Sequence, residues 1–216
     1  RLHVRGFTRH RSSGVKDRGT FGGIREKIPY LKELGVTVVE LLPVTEFDEV
    51  MVTEPAAGLP GQKPEATGRI NYWGYGPSFL YALKASYGCG ETEPEREFKE
   101  LVKALHRENM ECILEFYFTG KESPGDVLHV LRYWLQEYHV DGFIVNPVFV
   151  SAEEIAKDPI LSRTKILIHS NDYQNIMRRF LKGDEGMVKD VMYWVNHHTE
   201  HIYNYITNQN GFTLND

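Results

Sequence analysis

Hydrophobic positions along this chain follow two alternating patterns. Short apolar runs rich in β-branched residues predict buried strands, and stretches with apolar residues three or four positions apart predict amphipathic helices. Val36–Leu42 reads VTVVELL and is ended by Pro43, which is typical of a buried parallel strand. The segment Glu93–Asn109 is acidic in its first turn, basic towards its end and apolar along one face, so it predicts a helix.

The same two patterns recur along the rest of the chain. The other predicted strands are Leu2–Phe7, Met110–Phe118, Val140–Val145, Lys165–Ile168 and Ile202–Thr207. The other predicted helices are Ile24–Leu34, Val127–His139, Ala152–Lys157, Ile176–Leu181 and Met187–His198. Strands and helices therefore alternate, which favours an α/β fold with a parallel sheet.

Six predicted strands with helical crossovers admit an open doubly wound sheet or a TIM (β/α) barrel. The sequence lacks a GxGxxG turn after the first predicted strand, and polar residues stand at the carboxyl ends of several strands, so the barrel is favoured. A complete barrel has about 250 residues, and this chain has 216. We therefore expect a single barrel domain over residues 1–216, incomplete, with a long loop at 45–90 after the second strand.

Composition narrows the classes of function. The hydrophobic fraction of 41% and the charged fraction of 25% are ordinary for a soluble globular protein. A net charge of −5 argues against nucleic-acid binding, and the basic cluster Arg1–Arg11 holds too few charges to change that. No apolar run approaches the roughly 18 residues of a membrane span.

Cysteine and histidine usage adds two expectations. Cys89 and Cys112 are too few for a disulfide framework, and Cys112 lies in an apolar run, so we expect a buried free thiol and a cytoplasmic setting. His197 and His201 are spaced i,i+4, but they do not form an HExxH zinc pattern. A solvated helix end is the favoured interpretation, and we expect neither a metal nor a cofactor. The chain starts inside a predicted strand, so we expect an N-terminal part to be missing.

Six segments, in order across nearly the whole chain, carry a resemblance to a known family. They are LHVRGFTRHRSSGV, GVTVVELLPV, NYWGYGP, LRYWLQEYHVDGF, RRFLKGDEGMV and NGFTLND. Together they resemble the isoamylase and glycogen-debranching (pullulanase-like) branch of the α-amylase superfamily of glycoside hydrolases. The resemblance implies a TIM barrel and retaining hydrolysis of α-glucosidic bonds, which needs a carboxylate nucleophile and a carboxylic acid about 5–5.5 Å apart.

The family's catalytic positions are changed in this chain. Its DGFRFD pattern becomes DGFIVN, which places Asn146 at the nucleophile and Ile144 at the orienting arginine. Ser170 stands where the acid/base glutamate is expected, and Gln209 and Asn210 replace the later His-Asp pair. An amide is a far weaker nucleophile than a carboxylate, and a hydroxyl of very high pKa cannot protonate a leaving oxygen near neutral pH.

Other family features are shortened or altered. DVVYNH at the third strand becomes EFYFTG, in which Glu115 keeps a charge while Thr119 and Gly120 replace an Asn-His pair. The long insert after that strand is reduced to KESPGD, and the sixth strand, expected between Asp172 and Met177, is almost absent. We expect the sixth strand to be degenerate and the eighth to be absent.

Two interpretations of the retained residues stay open. Tyr72, Trp73 and Tyr75 of NYWGYGP either stack against sugar or pack within their own loop. Glu115 and Asp172 form a relocated catalytic pair, or else Glu115 makes a structural salt bridge and Asp172 caps a helix. We favour a non-catalytic barrel that binds α-glucan or a protein partner, with oligomers possible through open barrel edges. The alternative is an active retaining α-1,6/α-1,4-glucan hydrolase.

Overall fold

A computed structural model describes residues 1–52, 66–146, 151–169, 171–197, 202–203 and 205. The helices are α1 (Val4–Thr8), α2 (Phe21–Glu26), α3 (Ile28–Glu33), α4 (Pro94–Arg107), α5 (Pro124–Tyr138), α6 (Ala152–Ala156), α7 (Asn171–Lys182) and α8 (Val188–Asn196). The strands are β1 (Val38–Leu41), β2 (Thr45–Phe47), β3 (Val50–Val52), β4 (Ala66–Ile70), β5 (Ser78–Leu83), β6 (Glu111–Phe116), β7 (Gly142–Val145), β8 (Lys165–His169) and β9 (Ile202–Tyr203).

A parallel five-stranded sheet in the order β1-β6-β7-β8-β9 forms the centre of the fold. Leu2 extends it beyond β1 through a parallel bridge to Leu41. Helices follow the strands along the chain, as the alternating pattern predicts. Because successive side chains of a strand point to opposite faces, each central strand has a helix-facing side and an interior side.

The helix-facing side holds the main hydrophobic core. Cys112, Leu114 and Phe116 of β6 belong to it, together with Phe98 and Leu101 of α4. Trp134 of α5 is fully buried, and its ring centroid lies 5.5 Å from that of Phe116. Its Nε1 donates a hydrogen bond to the Leu80 carbonyl at 2.7 Å. The prediction that Cys112 is a buried free thiol is confirmed, and burial raises the pKa of this thiol.

Within the described residues, no helix is long and apolar enough to cross a lipid bilayer.

The predicted first strand is wrong beyond Leu2. Residues Val4–Thr8 form helix α1, because His3 caps it: the His3 Nδ1 accepts a hydrogen bond from the Gly6 amide at 2.9 Å. Side-chain capping satisfies an amide that has no partner within the first turn of a helix. The predicted helix at Ile24–Leu34 is also divided, into α2 and α3, and Pro29 stands at the start of α3.

The long region after β1 contains two antiparallel strand pairs in its described part. Strand β2 pairs with β5, and β3 pairs with β4. Further along, the segment predicted to hold a degenerate sixth strand lies in α7, which begins directly after β8. Strand β9, which the resemblance assigns to the seventh barrel position, pairs directly with β8.

Candidate functional site

A charged network lies on the interior side of the sheet, near the carboxyl ends of β1 and β6. Glu40 of β1 and Glu115 of β6 are 5% and 6% exposed. The Arg1 guanidinium joins them: its Nε lies 2.8 Å from Glu40 Oε1, and another of its nitrogens forms an ion pair with Glu115. Tyr75 donates from its hydroxyl to Glu115 Oε1 at 2.9 Å. We call these four residues the interior network.

Buried charges need compensating partners, and the interior network supplies them. Burial lowers the pKa of Arg1, but the nearby carboxylates of Glu115 and Glu40 outweigh that effect, so its pKa is raised overall. Tyr205 lies near both the positive charge of Arg1 and the negative charge of Glu115. Burial raises its pKa, the Arg1 charge lowers it and Glu115 raises it, and the net direction is upward.

The NYWGYGP segment forms a rigid turn beside this network. Asn71 accepts from the Gly74 amide at 3.0 Å and donates to the Tyr75 carbonyl at 2.9 Å. Gly74 has φ +80°, a backbone conformation that favours glycine. A Cβ there would also lie 2.7 Å from the Phe47 ring, so the space is too small for a side chain. The turn therefore holds its three aromatic residues in fixed positions.

The three predicted sugar-stacking residues have different surroundings. Tyr72 is half-buried and stacks on His3 with 4.3 Å between ring centroids, while His3 Nε2 donates to the Tyr72 carbonyl at 2.8 Å. Trp73 is 37% exposed and meets Tyr72 edge-on. Tyr75 is tied to Glu115 and meets Tyr117 edge-on at 5.6 Å. Tyr72 and Tyr75 thus pack partly within the protein, and Trp73 offers more free ring surface.

Asn146 stands immediately after β7, at the position that the resemblance assigns to the nucleophile. Its side-chain oxygen accepts from the Phe118 amide at 2.8 Å, and its side-chain nitrogen donates to the Phe118 carbonyl at 2.7 Å. Both halves of the amide are therefore used by one backbone residue beyond the end of β6. A carboxylate has acceptors only and could make just one of these two bonds.

The two carboxylates of the alternative catalytic pair differ in environment. Glu115 is buried within the interior network. Asp172 lies in the first turn of α7 and is exposed to solvent. A carboxylate in the first turn favours a helix through the helix dipole. Ser170, Gln209 and Asn210, the other residues that the resemblance places at catalytic positions, lie outside the described residues.

The shortened segment after β6 closes on itself. Glu122 accepts from the amides of Thr119 and Gly120 at 2.9 and 3.0 Å and from the Thr119 hydroxyl at 3.0 Å. Burial raises the pKa of Glu122, but these hydrogen bonds outweigh it and lower that pKa overall. Thr119 and Gly120, which the resemblance aligns with the family's Asn-His pair, therefore form part of a local turn.

His197, one of the two histidines at i,i+4 spacing, makes its contacts within its own helix end. His197 donates from Nδ1 to the Tyr193 carbonyl at 2.9 Å and stacks on the Tyr193 ring, at the end of α8. Its proposed partner His201 lies outside the described residues. Among the residues that the structure describes, no three His, Cys, Asp or Glu side chains are grouped so as to hold a metal ion.

Sequence reasoning missed three residues of this site. Glu40 carries a usable signal, since it is a lone acid inside the apolar run VTVVELL. Arg1 carries none, because its partners are 39 and 114 positions away, beyond any local pattern. Tyr117, which is 41% exposed beside Tyr75, would have required knowing that the chain turns outward after β6.

Comparison with known proteins identifies similar sequences. A family model described as the α-amylase catalytic domain matches residues 3–123. Isoamylase 3, chloroplastic, of Oryza sativa subsp. japonica is 28% identical over 314 aligned residues, covering 100% of this chain and 39% of the rice protein. The glycogen debranching enzyme of Erwinia tasmaniensis is 30% identical, covering 76% of this chain and 32% of that enzyme. This chain thus spans less than two fifths of the length of either relative.

Solved structures show a similar fold. Type I pullulanase from Bacillus subtilis, complexed with maltose, matches with a TM-score of 0.70 at 17% identity, covering 95% of this chain and 42% of the pullulanase. A pullulanase from Paenibacillus barengoltzii, complexed with maltotetraose, matches with a TM-score of 0.69 at 16% identity, covering 95% of this chain and 47% of that one.

Proposed function

The chain belongs to the isoamylase and pullulanase-like branch of the α-amylase superfamily and has its TIM-barrel-like fold, and on this premise we propose that it binds α-glucan without cleaving it. The observation that carries this proposal is the pairing of Asn146 with both backbone groups of Phe118. A nucleophile must direct a lone pair at the anomeric carbon. The Asn146 oxygen is neutral and is already directed at a backbone amide.

The pairing of Asn146 also explains why an amide stands there. The side chain links the end of β7 to the segment after β6, two neighbouring strands of the sheet. Asparagine has the one donor and one acceptor that this link uses, whereas aspartate would set a carboxylate against the Phe118 carbonyl oxygen. The residue thus serves the architecture of the mouth, by which we mean the surface at the carboxyl ends of the parallel strands.

Hydrolysis by the pair Glu115 and Asp172 is the alternative function, and two observations weigh against it. Glu115 is held by Arg1 and Tyr75, and a neighbouring guanidinium favours the ionised carboxylate over the acid that would protonate a leaving group. Asp172 is solvent-exposed in a helical turn. Neither group has the environment of a general acid whose proton is kept near neutral pH by a dry apolar pocket.

We infer that the barrel wall is reduced, and this supports the same proposal. Alignment to the rice isoamylase spans 314 residues for a chain of 216, so the relative has insertions that this chain lacks. Strand β9 pairs directly with β8, and residues 172–177 are helical, which supports loss of the sixth strand. A mouth with fewer walls leaves a glucan more accessible to water and less tightly positioned, which disfavours catalysis more than binding.

The binding surface that we propose consists of two ring pairs, in which the exposed Trp73 meets Tyr72 and the exposed Tyr117 meets Tyr75. Flat ring faces suit the apolar faces of glucose units. Pullulanases of similar fold have been solved with maltose and maltotetraose, which supports an α-glucan as the ligand. The fixed turn around Gly74 reduces the entropy lost when a sugar orders these rings.

One experiment tests both binding and cleavage. The protein is incubated with glycogen and pullulan, reducing ends are measured, and migration is followed in a gel containing glycogen. We expect retardation without release, and we expect the double variant Trp73→Ala/Tyr117→Ala to lose most of the retardation. Tyr30→Ala, at an exposed ring on α3, is the matched control and should migrate like the parent.

Each contrary result has a defined meaning. Release of reducing ends that disappears in Glu115→Gln would establish the hydrolase and overturn the proposal. Absence of both retardation and release would leave a protein partner as the ligand of this barrel. Retardation that survives the double variant would keep glucan binding but place it away from these two rings.

A further inference from the structure

We propose that a second site, a basic cleft formed by Arg5, Arg9 and Arg18, binds a phosphate monoester. This cleft is distinct from the aromatic surface and does not depend on glucan binding there. It has a volume of about 420 Å³ and is also lined by Asp17, Thr20 and Ser86. A neighbouring cleft is lined by Arg9, Lys16 and Arg18, so the cationic surface continues beyond the first.

Charge is concentrated here against the trend of the molecule. The whole chain carries −5, yet the cleft gathers three guanidinium groups and one carboxylate, Asp17. Arg5 and Arg9 belong to the basic cluster Arg1–Arg11, and Arg18 follows it. Arg1 is the member of this cluster that belongs to the interior network. A local cationic cleft in an acidic protein attracts small anions selectively.

Two of the three arginines have unused donors. Arg5 is engaged, because it makes hydrogen bonds of 2.7 and 3.2 Å to the Glu49 carboxylate and 2.7 Å to the Ser86 hydroxyl. Within the described part of the chain, the guanidinium groups of Arg9 and Arg18 form neither an ion pair nor a hydrogen bond, and both residues are exposed. Each guanidinium can therefore present its planar fork of donors to a ligand.

The loop that carries Arg18 is held in place by backbone contacts. The Thr8 hydroxyl, which is fully buried, accepts from the Gly19 amide at 2.8 Å, and the Thr20 hydroxyl donates to the Asp17 carbonyl at 2.6 Å. Glu26 accepts from the Lys16 amide at 3.1 Å. The Arg9 stem lies 3.4 Å from the place a Cβ would occupy on Gly19, so the two unpaired arginines border one fixed turn. Such preorganisation lowers the entropy cost of binding.

A phosphate monoester fits this arrangement better than a carboxylate or a nucleic acid. Its dianion offers three oxygens to two guanidinium forks, and arginine forks match phosphate geometry in a bidentate way. The cleft volume lies in the range of small-molecule sites, which suits a sugar phosphate. An extended nucleic acid would need a longer basic track than one cleft.

A chain of side-chain contacts links the cleft to the aromatic surface. Arg5 lies over the Tyr87 ring at 5.7 Å, and the Tyr87 hydroxyl lies 3.3 Å from His3 Nε2, whose ring stacks on Tyr72. The phosphate can therefore come from two sources, a free sugar phosphate or a phosphate group carried by a glucan bound at the aromatic surface. Both present the same chemistry to Arg9 and Arg18.

Calorimetry on the 216-residue chain tests this site directly. The ligands are glucose 6-phosphate, glucose, and maltoheptaose with and without a phosphate ester, each titrated at low ionic strength. We expect glucose 6-phosphate to bind and glucose to bind at least tenfold more weakly, and we expect added NaCl to weaken the phosphate complex. Arg9→Gln/Arg18→Gln should lower the affinity for glucose 6-phosphate at least tenfold. Arg107→Gln/Arg163→Gln removes the same charge from exposed positions elsewhere and should leave it unchanged.

The outcomes separate this proposal from glucan binding. Equal binding of glucose and glucose 6-phosphate, or full phosphate affinity in Arg9→Gln/Arg18→Gln, would overturn the phosphate site. Tighter binding of the phosphorylated oligosaccharide than of glucose 6-phosphate would identify a glucan-borne phosphate, and equal affinity would identify the free sugar phosphate. Trp73→Ala/Tyr117→Ala should keep its affinity for glucose 6-phosphate, so failure of the aromatic surface would not be mistaken for failure of the cleft.

Discussion

The two sides of strand β6 differ in chemistry although they alternate within six residues. Cys112, Leu114 and Phe116 pack into the apolar core against α4 and α5, whereas Ile113 and Glu115 face the interior, where Glu115 meets Arg1 and Tyr75. The helix-facing side excludes water through close apolar packing. The interior side must provide partners for buried charges. Apolar packing and charge pairing therefore stabilise this fold from alternate positions of the same strand.

Truncating the core on the helix-facing side should give the largest effect. Trp134→Ala removes a fully buried indole that contacts Phe98, Phe116 and Tyr138. We expect it to lower the free energy of unfolding by about 3–5 kcal/mol, measured by urea denaturation. Trp134→Phe keeps most of the packing and loses the hydrogen bond to Leu80, so it should cost clearly less. A loss below about 1 kcal/mol for the alanine variant would mean that this side is not the main source of stability.

Breaking the interior network should have a smaller effect. Glu115→Ala leaves Arg1 buried with Glu40 as its remaining carboxylate in the network, so we expect a loss of about 2–3 kcal/mol by the same measurement. Glu153→Ala, an exposed carboxylate in α6, is the control and should change stability by less than about 0.5 kcal/mol. Equal stability of Glu115→Ala and the parent would show that the network is not held as described.

Replacing Asn146 tests the contribution of single hydrogen bonds at the end of β7. Asn146→Asp replaces a donor to the Phe118 carbonyl with a carboxylate oxygen, so we expect about 1–3 kcal/mol of destabilisation at pH 7 and no gain of hydrolysis. Protonating the introduced carboxyl would restore a donor, so the difference from the parent should shrink as the pH falls towards 4. A variant that hydrolyses pullulan would refute both this prediction and the proposed function.

The smallest predicted effect concerns His3. Burial is the main cause that lowers the pKa of His3, with a further contribution from Arg5, although the hydrogen bond to the Tyr72 carbonyl acts in the opposite direction. The unfolded chain therefore takes up a proton more readily than the folded one. The corresponding stability is present above the unfolded pKa, about 6.5, and is lost as the pH falls below it. The urea midpoint should drop between pH 7.5 and 5.5, and His3→Asn, which keeps a capping side chain, should reduce that dependence.

The sequence predicted the fold through local patterns. The β-branched runs and the helical spacing located the strands β1, β6, β7 and β8, because each pattern is complete within one segment. It failed at α1, where the capping bond from Gly6 to His3 overrides the strand-like pattern of Leu2–Phe7. The pairing of β9 with β8 was likewise beyond reach, since strand order depends on contacts between distant segments.

The candidate site was predicted less completely, for a related reason. Motifs indicate Glu115 and Tyr75 as candidate residues, but the hydrogen bond between them joins positions 40 residues apart. The role of Asn146 depends on Phe118, which is 28 residues away and offers only backbone groups. Any residue type offers the same backbone groups, so the sequence does not reveal a hydrogen bond to them. An asparagine that serves the structure therefore cannot be distinguished by sequence from one that replaces a nucleophile.

Cys112 gives this molecule a built-in reporter. Its sulfur is sealed under the helix layer, while Cys89 is only half-buried on the wall of the basic cleft. The thiolate is the nucleophile that attacks an alkylating agent. Cys89 can therefore react in the folded protein, whereas Cys112 can react only when α4 and α5 separate from the sheet. The ratio of the two labelling rates therefore reports how often that layer opens, in unmodified protein and without denaturant.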